Sequence, residues 1–221
     1  MSVRFVYFDL GNVLLHFSIR RIVGQLAQVV NAEESDVQEA LFNNQNYRSY
    51  EIGEISEEEF FNRFRDALGT NVETEPMIDA VNEVFWANDP ILPIIRKLAK
   101  TNFPRGILSN TNEGHWKYLE NAFPRIWDCF PEHKIASFEK KALKPFPEIY
   151  EIALQDARKE LPDLKADEVL FIDDLEENAR GAAEFGFKTI HYVDFDQFLG
   201  EYKTFGLPIP SRYSVVEGEN A

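Results

Sequence analysis

Apolar positions change their spacing twice along this 221-residue chain. The run Phe5-Val6-Tyr7-Phe8 ends at Asp9-Leu10-Gly11, and a short apolar run closed by a glycine turn predicts a strand buried on both faces. From Phe17 to about Trp86 the period becomes helical. Ile19, Ile22, Val23, Leu26, Val29 and Val30 follow the i, i+3, i+4, i+7 spacing of one helix face. Ser35 with Gln38, and Ser56 with Glu59, have the spacing of capping boxes. Phe60, Phe61, Phe64 and Leu68 form an apolar stripe that predicts helix–helix packing, and residues 75–86 predict a further short helix. Asn88-Asp89-Pro90 breaks that pattern.

Beyond the break, helix and strand alternate. Helices are predicted over about 91–100, 112–122, 147–158 and 175–185. Strands are predicted at Gly106–Ser109, around His133–Ser137, at Glu168–Ile172 and at Lys188–Val193. Such alternation predicts an α/β fold with a parallel sheet and right-handed crossovers, and the first strand joins that sheet. The roughly seventy helical residues after it are too many for a loop in a compact domain, so they read as an inserted second unit. The expected organisation is a core of residues 1–14 and 89–200, a helical insertion at 15–88 and a C-terminal extension at 201–221. From residue 205 that extension, with Pro208 and Pro210 followed by polar and acidic positions, reads as a loosely held tail.

Charge narrows the partners. Net charge is −15, which disfavours nucleic acid and anionic membrane surfaces. Residues 33–83 hold fourteen Asp and Glu against Arg48, Arg63 and Arg65, and no lysine precedes Lys97. The single cysteine, Cys129, excludes an internal disulfide and a cysteine-rich metal site. With no secretory leader pattern and no stretch approaching eighteen apolar residues, the expected location is cytoplasmic.

The polar residues at predicted strand ends carry the chemistry. In open α/β sheets ligands bind beyond the carboxyl ends of the strands, where Asp9, Ser109-Asn110-Thr111-Asn112, Lys144-Pro145 and Asp173-Asp174 would gather. Each also has a plain structural reading. Asp9 can be a turn residue, Thr111 or Asn112 a helix cap, Lys144 an ordinary surface lysine, and Asp174 with Glu177 a capping pair. Their joint placement outweighs these separate readings. His16 reads as a partly buried structural histidine, and Trp86, Trp116 and Trp127 as packing residues.

The segments Phe8-Asp9-Leu10-Gly11-Asn12-Val13-Leu14, Leu108-Ser109-Asn110-Thr111-Asn112, Lys144-Pro145 and Phe171-Ile172-Asp173-Asp174-Leu175-Glu176-Glu177-Asn178 resemble, in order, the four motifs of the haloacid dehalogenase-like (HAD) hydrolases. The resemblance covers about residues 3–200 and implies a three-layer Rossmann-like core with a small helical cap. Within the superfamily the chain is similar to bacterial phosphatases of the α-D-glucose-1-phosphate phosphatase type, through Asp9-Leu10-Gly11-Asn12-Val13 and the cap segment Gly53-Glu54-Ile55-Ser56. The resemblance implies a Mg²⁺-dependent phosphatase acting on a small phosphorylated metabolite. Asp9 would be the nucleophile and carry an aspartyl-phosphate. The metal would sit on Asp9, the Gly11 carbonyl and Asp174, with Asp173 as neighbour or outer partner and Asn178 at most orienting the site. Ser109 and the Asn110 backbone would hold the phosphate, and Lys144 would offset charge on nucleophile and substrate. The cap segment Arg48–Glu54 would face either the substrate or solvent.

One departure matters. Most HAD phosphatases carry a second aspartate two residues after the nucleophile as general acid and base, and here that position is Gly11. Such catalysis is typically worth about 10²–10⁴-fold. Its loss points to esters whose departing oxyanion is a weaker base, such as sugar 1-phosphates. A 2-haloacid dehalogenase is the nearest rival, but those members carry an aromatic residue at the Gly11 position and need no metal. A receiver-type domain would place its acidic pair after the first strand. A non-catalytic relative that binds a ligand or partner is the third alternative.

Overall fold

In β1 (Phe5–Phe8) both faces are apolar, and the computed structural model, which describes residues 2–42 and 45–214, buries both. It lies centrally in a five-stranded sheet with β4 (Arg105–Ser109), β5 (Lys134–Ala136), β6 (Val169–Asp173) and β7 (Lys188–His191), in the order β5-β4-β1-β6-β7. Every pairing in it is parallel. Alternate residues serve opposite layers, as the strand period of two requires. Val6, Phe8, Ile107, Leu170 and Ile172 pack on one side with α6 (Leu92–Lys100), α7 (Glu113–Ala122) and α12 (Phe195–Thr204). Phe5, Tyr7, Leu108, Val169 and Phe171 pack on the other with α10 (Pro147–Ala157) and α11 (Glu176–Phe185). This is the three-layer α/β architecture expected from the alternating pattern.

The helical block consists of α1 (Ile19–Val30), α2 (Glu34–Phe42), α3 (Asn46–Glu51), α4 (Glu57–Leu68) and α5 (Thr74–Asn82). It has an apolar cluster of its own, centred on Leu26, Val37, Phe61, Phe64 and Met77. Ser56 caps α4 as its spacing indicates, accepting from the Glu59 N–H at 3.1 Å. Ser35 does not cap: α2 begins one residue earlier, and Ser35 lies in its first turn, where its hydroxyl reaches Asp36.

Three further features depart from the sequence reading. Leu15–His16 (β2) and Trp86–Ala87 (β3) pair antiparallel where the block leaves and rejoins the sheet, so Trp86 opens a strand, is 43% exposed, and meets the His16 ring and the Arg21 guanidinium outside the core. Trp116 and Trp127 do pack, with rings 4.8 Å apart. One-turn helices, α8 (Pro124–Trp127) and α9 (Ser137–Lys140), flank β5. Residues 205–213 are no loose tail. Helix α12 runs past residue 201, Tyr202 and Leu207 are buried in the core, and the Tyr213 hydroxyl donates to the Pro90 carbonyl. The remainder of the tail, 215–221, lies outside the described residues.

The edge strand β5 is tied to α10 by His133, whose Nδ1 meets Asp156 at 2.8 Å and whose Nε2 meets Glu160 at 3.2 Å. Hydrogen bonding to Asp156 raises the His133 pKa. Burial pushes Asp156 up, but hydrogen bonds from His133 and Lys159 outweigh it and hold the carboxyl at about 2. A raised histidine stabilises below its unfolded value of about 6.5 and ceases to as pH rises through its folded value. A lowered aspartate stabilises above about 4 and loses that on acidification. His133→Ala is therefore expected to cost about 1 kcal/mol at pH 5.5 after solvent screening, and less at pH 8.5, in urea melts. An equal loss at both pH values would remove charge from the explanation.

Candidate active site

The strand order brings the carboxyl ends of β1, β4 and β6 side by side, because β1 lies between the other two. Asp9 follows β1 directly, with its N–H on the Ile172 carbonyl at 2.8 Å. Ser109 ends β4 and Asp173 ends β6. Lys144 comes from the loop before α10, and its fully sequestered ammonium reaches Asp9 Oδ1 at 2.7 Å, Asp173 Oδ2 at 2.6 Å and the Leu108 carbonyl at 3.1 Å. The Asn110 amide clamps the Lys144 backbone in both directions, donating to its carbonyl at 3.0 Å and accepting its N–H at 2.9 Å. The surface-lysine reading of Lys144 is thereby excluded.

Asp173 has both oxygens engaged, because Oδ1 also accepts from the Leu175 N–H and from Asn178 Nδ2. Asp174 is less buried, and its Oδ2 accepts from Asn12 Nδ2 at 3.1 Å. It does not cap α11, whose N-cap position is Leu175, whereas Asn112 does cap α7. Oxygens of Asp9, Asp173 and Asp174 all lie within 4.8 Å of one another. Gly11 borders the same space: a Cβ there would lie 3.9 Å from Asp9 Oδ2 and 3.0 Å from the Phe17 ring.

The electrostatics are unbalanced. Three clustered carboxyl groups face one ammonium, so their fully ionised state carries two negative charges in excess. Burial pushes the Asp9 carboxyl up to about 7; Lys144 pulls it down, and Asp173 and Asp174 push it up again. Burial also raises Asp174, with a contribution from Asp173. Burial alone would lower Lys144, but Asp173 and Asp9 outweigh it and keep its pKa above the ordinary lysine value. An all-oxygen donor set with surplus negative charge fits a hard divalent cation such as magnesium.

A cavity of about 180 Å³ opens beside these groups. Gly11, Ser109 and Asn110 form its floor, Phe17, Tyr47 and Glu51 stand on the helical-block side, and the remaining walls are largely apolar. Two contributors had no clear sequence signal. Asn12, in the left-handed region at φ 51°, holds Asp174, and Asn at such a position is a weak cue by itself. Ser137, the first residue of α9, bridges the Thr111 and Glu51 backbones.

The family model for haloacid dehalogenase-like hydrolases matches residues 3–186. A HAD family enzyme from Bacteroides thetaiotaomicron, solved with magnesium and inorganic phosphate, is 29% identical. That similarity covers 86% of this chain and 93% of the other, with a TM-score of 0.74. A HAD-like family hydrolase from Porphyromonas gingivalis (23% identity, 92% and 98% covered, TM-score 0.74) shares the fold. So does the L-2-haloacid dehalogenase from Xanthobacter autotrophicus (18% identity, 94% and 85% covered, TM-score 0.60). Among the described residues, no helix is long and apolar enough to cross a membrane. With the four polar segments gathered at one sheet edge and the family model spanning most of its length, the chain belongs to the haloacid dehalogenase-like hydrolases.

Proposed function

We propose that the protein is a Mg²⁺-dependent phosphatase that hydrolyses small phosphate monoesters through a phosphoryl group carried on Asp9. The observation that carries this reading is the surplus of two negative charges among Asp9, Asp173 and Asp174 around a single buried lysine. An anionic phosphate does not approach such a cluster unaided, and a divalent cation there would offset both the cluster and the substrate. Asp9, the Gly11 carbonyl and Asp174 would hold the ion. Asp173, its oxygens already committed, would hold Lys144 in place. The Asp9 oxygen attacks phosphorus, the Lys144 ammonium offsets charge on nucleophile and phosphate, and the Ser109 hydroxyl and Asn110 N–H donate to phosphate oxygens. The magnesium and phosphate of the Bacteroides enzyme support the same assignment. A dehalogenase attacks an uncharged carbon and gains nothing from the acidic surplus, so that reading is weaker.

Sugar 1-phosphates are the substrates that the absence of a carboxylate at position 11 favours, and aryl phosphates share both their weakly basic leaving oxygen and a fit to the apolar cavity walls. A panel of esters assayed with Mg²⁺ and then with EDTA tests the proposal. Turnover should be lost with EDTA and restored by Mg²⁺, and kcat/KM should be higher on sugar 1-phosphates than on the matching 6-phosphates, by about tenfold or more to the extent that no other group protonates the leaving oxygen. Equal rates on the two sugar esters would mean that a group other than position 11 protonates the leaving oxygen. Turnover indifferent to EDTA would remove the metal.

A further inference from the structure

Position 11 offers no proton to the departing oxygen, yet the opposite wall of the cavity carries a carboxyl. Glu51 is the last residue of α3, and its backbone is docked on the sheet edge. The Ser137 hydroxyl, fully buried, donates to the Glu51 carbonyl at 2.7 Å and accepts the Thr111 N–H at 2.9 Å. One bond therefore joins the helical block to the loop that carries Ser109 and Asn110. Two residues on, Gly53 has φ +72°, and a Cβ there would collide with the Phe138 carbonyl oxygen. The chain leaving Glu51 is thus pressed against α9 at a spacing only glycine tolerates. These contacts leave the Glu51 side chain lining the same cavity as Gly11, Ser109 and Asn110.

We propose that Glu51 is the general acid and base of the reaction, reaching from the helical block to do what Gly11 cannot. The proposal rests on the phosphatase reading above. In the first step an Asp9 oxygen bonds to phosphorus and the bond from phosphorus to the ester oxygen breaks. That oxygen keeps the electron pair and takes the proton of the Glu51 carboxyl. In the second step the Glu51 carboxylate removes a proton from water as the water oxygen bonds to phosphorus. The Asp9–phosphorus bond breaks, both carboxyl groups return to their starting states, and the sum is ester plus water giving alcohol plus phosphate.

The surroundings suit this role. Burial pushes the Glu51 carboxyl up to about 7, with Lys144 and a hydrogen bond from the Tyr47 hydroxyl lowering it in part, so both protonation states are populated near neutrality. Four other titratable groups line the cavity; burial pushes the Tyr47 and Tyr50 hydroxyls well up, so both stay protonated. Burial holds His115 near 4, so it carries no proton to give at pH 7. Glu57 is taken up by the Tyr50 hydroxyl at 3.0 Å.

Glu51→Gln should lower kcat/KM by about 10²–10⁴-fold on an alkyl or sugar phosphate, and by less than about tenfold on p-nitrophenyl phosphate, whose leaving oxygen needs no proton. On p-nitrophenyl phosphate kcat should still fall, because hydrolysis of the phosphorylated enzyme needs the base while the first step does not. The alkaline limb of the kcat/KM profile near pH 7 on the alkyl ester should vanish. Tyr47→Phe, which keeps Glu51 and removes one group that lowers its pKa, should move that limb to higher pH. A Glu51→Gln enzyme that loses activity equally on all esters, keeps the pH limb or loses nothing overturns the assignment while leaving the phosphatase reading intact. A wild-type enzyme inactive on every ester overturns both.

Discussion

Asp9→Asn is expected to reduce kcat by about 10⁴–10⁶-fold, the range seen when a nucleophile is removed from a machinery that works as a unit, while leaving thermal stability unchanged or slightly higher in the absence of metal. The two halves have separate physical origins. Asparagine keeps the shape and one acceptor but cannot carry the phosphoryl group. Stability does not suffer, because Lys144 keeps Asp173 at 2.6 Å and the Leu108 carbonyl at 3.1 Å. At the same time the crowding of like charges that helps push Asp9 to about 7 is relieved. Turnover on the best ester of the panel and a metal-free thermal melt check the two together. Activity within tenfold of wild type would remove Asp9 from the chemistry. A loss of several kcal/mol in stability would mean that Asp9 chiefly holds the sheet edge together.

The fold was legible wherever local pattern and tertiary role agree. The apolar run at Phe5–Phe8, the alternation after Asn88 and the long amphipathic stretch after Phe17 each encode an element by period alone, and the parallel sheet follows from their order. Strands of two residues have no period, so β2 and β3 left no trace. Ser35 illustrates the limit of a spacing rule: Ser35 and Gln38 are three apart, but the chain enters α2 one residue earlier. The C-terminal helix was different, because its signal is present. Asp194 caps it through the Gln197 N–H, and Phe195, Phe198, Leu199 and Tyr202 follow helical spacing; Pro208 and Pro210 lie beyond its end and say nothing of the turns before them. At the site, acidic and basic residues at predicted strand ends were readable from topology, since parallel strands deliver their carboxyl ends to one edge. The cavity-facing side of α3 was not. Whether Glu51 meets solvent or the cavity is decided by Ser137 and Phe138, some eighty residues away, and no local period records such a contact.

Lys144→Met should give the largest stability change of any single substitution at the site. Methionine matches the length of the stem but leaves Asp9 and Asp173 buried without their shared cation, and removing one partner of a buried pair costs about 3–5 kcal/mol. The loss should depend on pH with a defined sign. An acid whose folded pKa lies above its unfolded value binds more protons when folded, so stability falls as pH rises between the two. For Asp9 that window already runs from about 4 to about 7, and without Lys144, which pulls the carboxyl down, its upper end moves higher. The variant should therefore be nearer wild type at pH 5 than at pH 8. Magnesium gives the second axis. A ligand that binds only the folded state stabilises by about 2.7 kcal/mol at a hundred times its dissociation constant, and a cluster stripped of its ammonium attracts a divalent cation more strongly. Melts of both proteins at pH 8, with and without Mg²⁺, should show the larger gain in the variant, although it remains inactive. A gain no larger than that of wild type would mean that the ion and Lys144 do not share the same carboxylates, and the charge-surplus argument for the metal would fail with it.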